Sequence, residues 1–450
     1  MTAPVVPLWR TYIVFLLPMM LSNILQALFG TINSIYLGQM IGVDALAAVA
    51  GFFPVMFFFI AFIIGLGAGA SVLIGQAWGA REPERVKEVA GTTLTLALLG
   101  GAAIAVFGGI FTRDLLIMLA TPANVLDAAT GYARIMMIAI PATFAFILLT
   151  SMMRGVGDTM TPLFALAFST AIGLVVTPAL IQGWLGLPKL GVASAAYASA
   201  IASVVTLCWL AIYMRRTKHA LAPDRAFLRG MVPDFSLLGK VLRIGLPTAV
   251  QLVVMSLAEL VLLGIVNSFG SDATAAYGAL NQVLAYVQFP AISIAITASI
   301  FAAQAIGAGH VDRLGAIVKT GLLLNLIMTG ALVALGYLLS RLIVGLFIID
   351  ENVLELAQHA LHIVLWSTVP FGMAGVFSAT MRASGTVLVP TLLSIVSILA
   401  VEVPVAILLS RALGLSGVWT AYPITFCAML LLQMMFYWFV WRKKKIERLI

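Results

Sequence analysis

The chain states its own first half twice, in the same order, about 228 residues apart. SVLIGQAWGA from Ser71 returns as SIFAAQAIGA from Ser299, and MRGVGDTMTP from Met153 returns as MRASGTVLVP from Met381. Leu17 and Pro18 match Leu246 and Pro247, and Gly191 and Val192 match Gly417 and Val418, so the duplication runs nearly end to end. A chain built this way folds into two like halves in parallel order, and a site expected from such a duplication lies where the two halves face each other.

The medium of that fold follows from composition. With 62% apolar and 9% charged residues and a mean hydropathy of +1.12, the chain is too apolar for a water-soluble domain of this size. Long apolar runs of roughly 20 residues, the length that spans a bilayer as a helix, recur along it. They predict an all-α membrane protein of twelve transmembrane helices, six per half, among them helix 7 over 244–268, helix 10 over 359–381 and helix 11 over 388–410. The runs are continuous, without the period-two alternation of a β-barrel. Six is an even number, so both halves start on the same side and are related by an axis along the membrane normal. The opening residues lack a charged segment followed by a cleavage site, so the first helix is expected to be retained.

Net charge is +8, which in a soluble chain points to nucleic acid. Here the placement of charge points to topology instead. With both termini in the cytoplasm, only Arg113, Arg134, Lys189, Arg341 and Arg411 of the 25 Lys and Arg fall outside. No nucleic-acid partner is expected; the lipid bilayer is. Cys208 and Cys427 lie inside apolar runs and read as small hydrophobes. His359 and His362 have a spacing that two metal ligands adopt, but no third ligand accompanies them, so no metal is expected.

The division of the chain reads as a six-helix lobe over 1–214, a basic linker over 215–243, a second six-helix lobe over 244–441 and a basic tail over 442–450 that snorkels at the inner leaflet. Proline inside several spans, including Pro54, Pro178, Pro290, Pro370 and Pro404, suits helices that bend.

No nucleotide-binding, zinc-hydrolase or serine-hydrolase signature is present, so neither an enzyme nor a cofactor is expected. Ionisable groups inside the spans are then the place to look, because an unpaired charge in hydrocarbon costs several kcal/mol. Glu259 and Glu402 are the acidic residues placed near mid-depth, both in the second half, and each is able to take up and release a proton as water reaches it from one side or the other. Amides interleaved with aromatics suit a cavity for amphipathic or cationic molecules: Phe29, Asn33 and Tyr36 on helix 1, and Tyr277, Asn281, Gln282, Tyr286 and Gln288 on helix 8. Met255, one of twenty methionines, suits an adaptable wall. Helix–helix hydrogen bonding explains any single one of these amides equally well.

LPMMLSNILQALFGTINSIYLG in helix 1, GLGAGASVLIGQAWGA after helix 2 with its echo FAAQAIGAGHVDR, and the MRGVGDTMTP and MRASGTVLVP pair together resemble the multidrug and toxic compound extrusion (MATE) family. The resemblance implies twelve helices in two lobes, and a monomer in the cell's inner membrane. It also implies a secondary antiporter that exports small organic, often cationic, compounds against H⁺ or Na⁺ by alternating access. Two places depart from the family's patterns. Where many bacterial members carry an aspartate fifteen residues after a helix 1 proline, Asn33 stands, and an amide carries no proton. Where one branch carries an aspartate on helix 10, eleven residues before the arginine, Phe371 stands. Coupling is then expected at Glu259 and Glu402, with H⁺ favoured over Na⁺ because a single carboxyl carries a proton while Na⁺ needs several oxygens. A flippase for a lipid-linked substrate and a membrane protein without transport activity are the alternatives.

Overall fold

The computed structural model describes residues 7–450, and twelve of its helices are long and apolar enough to cross a membrane. In chain order these are α1 Leu8–Met40, α2 Asp44–Gly79, α3 Pro83–Met118, α4 Leu126–Gly155, α5 Met160–Gln182 and α6 Ala193–Arg216. The second set is α7 Phe235–Asn267, α8 Ser271–Gly307, α9 Val311–Leu338, α10 Glu351–Ala383, α11 Leu388–Leu413 and α12 Leu415–Lys443. No strand occurs among the described residues, and the all-α membrane fold stands as expected. The start of the chain, read above as uncleaved and cytoplasmic, falls partly on residues 1–6, which lie outside the described residues.

The helices run past the apolar stretches at polar caps. Asp234 accepts hydrogen bonds from the backbone N–H of Ser236 and Leu237 at 2.8 and 3.2 Å and so starts α7 inside the segment read as a linker. Asp350 does the same for α10 through Asn352 and Val353 at 2.9 and 3.2 Å. What remains of the linker docks on α3. Lys87 pairs with Asp224, the Thr92 hydroxyl donates to Gly230 O at 3.2 Å, and the Thr95 hydroxyl donates to Met231 O at 2.8 Å. The backbones meet so closely at Gly91 and Gly230 that a methyl on Gly91 would strike the Gly230 carbonyl group.

Two compact units make up the chain, one of residues 1–20 with 250–450 and the other of residues 21–249. This partition differs from the halves of the sequence duplication, because α1 and α7 each contribute to both units. Both divisions fall just after the repeat-matched Pro18 and Pro247. In the first unit, the start of α1 is held by the Tyr12 hydroxyl donating to Ile317 O at 3.0 Å. Tyr12 and Phe15 also set their rings against Phe301, at 4.8 and 5.2 Å between centroids. In the second unit, Gly65 and Gly69 of α2 let the early backbone of α7, at Val241 and Gly245, approach where any side chain would collide.

Two helices of the first unit are irregular. α10 carries a 3₁₀ turn at Leu365–Ser367, just before Pro370, whose ring cannot supply the next helical N–H. α11 is wound as a π turn over Ser397–Glu402 and resumes as an α-helix at Val403, with Pro404 in its first turn. The last helix is fastened just before the tail: the Trp441 indole donates to Ser384 Oγ at 2.8 Å and stacks on Tyr437 at 5.2 Å.

Candidate functional site

Five helices of the first unit surround a cavity of about 210 Å³. α7 brings Met255 and Glu259, one turn apart on the same face. α8 brings Asn281, Leu284, Ala285 and Gln288, the i, i+3, i+4, i+7 stripe of a single helix face. Phe371 comes from α10, Ile398 and Glu402 from α11, and Tyr422, Phe426 and Met429 from α12. Both carboxyls singled out in the sequence therefore line one cavity, although they stand on helices far apart in the chain.

Their surroundings differ. Glu402 is 5% exposed and sits at the end of the π turn, while Glu259 is exposed to the cavity. Neither makes a hydrogen bond or an ion pair among the described residues, and no lining residue is basic. Leaving a buried carboxylate unpaired costs several kcal/mol, a cost that a proton or a cationic guest removes. Phe371, standing where one family branch has an aspartate, packs its ring on Phe426 at 4.9 Å and makes that wall apolar.

The aromatic wall is braced from behind. The hydroxyls of Tyr277 and Tyr422 meet at 2.9 Å, and the Tyr277 ring lies nearly parallel to Trp419 at 5.7 Å. Tyr277 thus supports the cavity without lining it. Gln282 and Tyr286 are half-buried on other faces of α8, Tyr286 with its ring edge-on to Phe289 at 5.7 Å, and neither lines the cavity. The backbone that carries Phe371 is pinned by Asn325 of α9, which donates to Val369 O at 2.9 Å and accepts from the Thr329 hydroxyl at 3.0 Å. Gly372 packs on the Asn325 side chain with no room for a methyl group.

The α1 residues expected at a cavity belong to the other unit, where each meets α5. Phe29 lies against Gly173, Asn33 Oδ1 accepts from the Thr177 hydroxyl at 3.3 Å, and the Tyr36 hydroxyl reaches Leu174 O at 3.5 Å. Leu174 is four residues before Pro178, so its carbonyl is the one that Pro178, lacking an N–H, leaves open. These side chains thus brace a proline-interrupted helix. His359 and His362 each end on a serine hydroxyl, Ser416 at 3.1 Å and Ser340 at 3.0 Å. Among the described residues no three His, Cys, Asp or Glu come together as a metal site.

Sequence reasoning passed over Tyr422, Phe426 and Met429. Their i, i+4, i+7 spacing was the available signal, but in a wholly apolar run such a stripe looks like core.

The MatE family profile matches this chain twice, over residues 18–179 and 247–408, one match per half of the duplication. A Bacillus subtilis protein called "Probable multidrug resistance protein YoeA" is 47% identical over 444 residues, which is 98% of this chain and 96% of that protein. "Multidrug export protein MepA" of Staphylococcus aureus is 23% identical over 419 residues, covering 92% and 89%. A crystal structure of a mutant of the Vibrio cholerae MATE transporter VcmN superposes with a TM-score of 0.90 over 97% of this chain and 98% of that one, at 19% identity.

Proposed function

This chain belongs to the MATE family of transporters, and from that premise we propose that it exports small organic cations in exchange for protons through the cavity of α7, α8, α10, α11 and α12. The observation that carries the reading is the placement of two unpaired carboxyls, Glu259 and Glu402, in one cavity lined by aromatic rings, amides and methionines, without a basic residue. Such a lining favours an amphipathic cation through charge, stacking and cation–π contact.

Exchange follows from competition. A carboxyl that has given up its proton attracts the cation, and a carboxyl that regains one releases it, so each ligand favours the state that the other leaves. A proton needs only the carboxyl, whereas Na⁺ requires several oxygens in a fixed cage; this favours H⁺. The lack of any cation in the lining speaks against a pyrophosphate-linked lipid as cargo. The bias of Lys and Arg supports cytoplasmic termini in the cell membrane, and a single chain contains the whole cavity, which supports a monomer.

The deciding experiment is ethidium transport in inside-out vesicles driven separately by a proton or a sodium gradient. Proton-driven uptake that is lost in Glu259→Gln is the expected outcome; uptake by that variant at the normal rate would refute the coupling role.

A further inference from the structure

We infer that the cavity is kept at zero net charge in every occupied state, so that the protons released equal in number the charge of the cation that enters, and that Glu402 fits the site to dications. The inference rests on the reading of this cavity as the transport site.

The geometry behind it is the pairing of two carboxyls that differ in exposure and lack protein partners. Glu402 is 5% exposed and aimed by the π turn into a cavity that already holds Glu259. One acidic residue would suffice to bind a monocation. A second, buried beside it with no hydrogen bond, is a standing cost unless something neutralises it too.

The remaining lining residues on α7 and α11, Met255 and Ile398, are apolar. α8 presents the amides of Asn281 and Gln288, α10 the Phe371 ring, and α12 the Tyr422 hydroxyl, which is engaged with Tyr277, together with Phe426 and Met429. None of these is a cation, so neutrality must come from what enters. Two protons satisfy the site, as do one proton with a monocation, or one dication. A monocation therefore displaces one proton and a dication displaces two, and in both cases the exchange moves no net charge. The volume of about 210 Å³ suits a flat organic ion of modest size.

Two probes of nearly the same shape separate charge from size: N-methyl-4-phenylpyridinium, a monocation, and N,N′-dimethyl-4,4′-bipyridinium, a dication. The full chain is reconstituted in proteoliposomes, and cation uptake and lumenal pH are followed together, first with the membrane potential clamped at zero and then with an imposed potential. The expected result is one proton per monocation and two per dication, with neither exchange altered by the potential. Glu402→Gln is expected to lower the ratio of dication to monocation flux by about thirtyfold or more, the effect of removing one partner of a buried charge pair. Equal proton numbers for the two cations, a rate that follows the potential, or an unchanged flux ratio would each overturn the inference. The proton count on the unsubstituted chain decides alone if the variant fails to fold. Failure of the unsubstituted chain to move either cation against protons overturns the transport reading itself, a result distinct from transport with the wrong proton number.

Discussion

The hydroxyls of Tyr277 and Tyr422 meet at 2.9 Å between α8 and α12, and Tyr422 lines the same cavity as Glu259 and Glu402. Both side chains are almost fully buried, and the Tyr277 hydroxyl is shared between Tyr422 and Asn281. Tyr277→Phe strands its partner and is expected to cost about 1–3 kcal/mol of stability. Tyr277→Phe combined with Tyr422→Phe should cost less than the sum of the single changes, since no orphaned hydroxyl is left. A double-mutant cycle on melting in detergent measures this, and additive losses would mean that the bond contributes nothing.

Gly372→Ala drives a methyl group into the Asn325 side chain and to within 2.8 Å of Ala291 Cβ. The expected loss is about 1–3 kcal/mol, the usual cost of overpacking, accompanied by slower transport because Phe371 is the adjoining residue. Thermal unfolding and flux measured on the same preparation check both parts.

On α1, Asn33→Leu removes the acceptor for Thr177 and leaves the brace on α5 incomplete. A stability loss of about 1 kcal/mol is expected, with the number of protons exchanged per cation unchanged. A changed proton number would assign Asn33 to coupling.

Outside the membrane spans, Asp158 sits in the turn between α4 and α5. Burial pushes its carboxyl up, but hydrogen bonds from His219 and Thr161 outweigh that and hold it below the ordinary aspartate value. A carboxyl lowered by folding contributes stability above its unfolded value, near pH 4, and that stability is lost as pH falls through the folded value. Melting curves from pH 6 down to pH 3 should therefore steepen on the acid side in the unsubstituted chain and less so in Asp158→Asn. Parallel curves would show that the turn does not depend on the ionised group.

How far the sequence could be read depended on whether a feature is local. The twelve apolar runs and their duplication were legible because crossing a bilayer is a property of each segment alone. Glu259 and Glu402 were legible for a related reason: a carboxyl in an apolar run stands out without any knowledge of its neighbours. Their meeting in one cavity was not, because it depends on how α7 and α11 pack. Phe29, Asn33 and Tyr36 show the same limit from the other side. Their spacing revealed a shared face of α1, but the carbonyl opened by Pro178, which that face meets, lies far along the chain. The docking of the linker on α3 was likewise not legible, because it depends on the close approach of Gly91 and Gly230.

The extra winding of α11 over Ser397–Glu402 has a consequence for how the chain tolerates change in length. A π turn holds one residue more than an α-helical turn of the same rise. Deleting one residue there, Ala400 for example, lets the segment relax into regular helix without shortening it by a full step. The helix on either side then keeps its phase, whereas forcing all the residues into regular helix would turn one end against the other by about the 100° that one residue occupies. The carboxyl of Glu402 would still face the cavity it shares with Glu259, so the acidic pair tolerates the loss of one residue here, a loss that in a regular helix would turn the two apart.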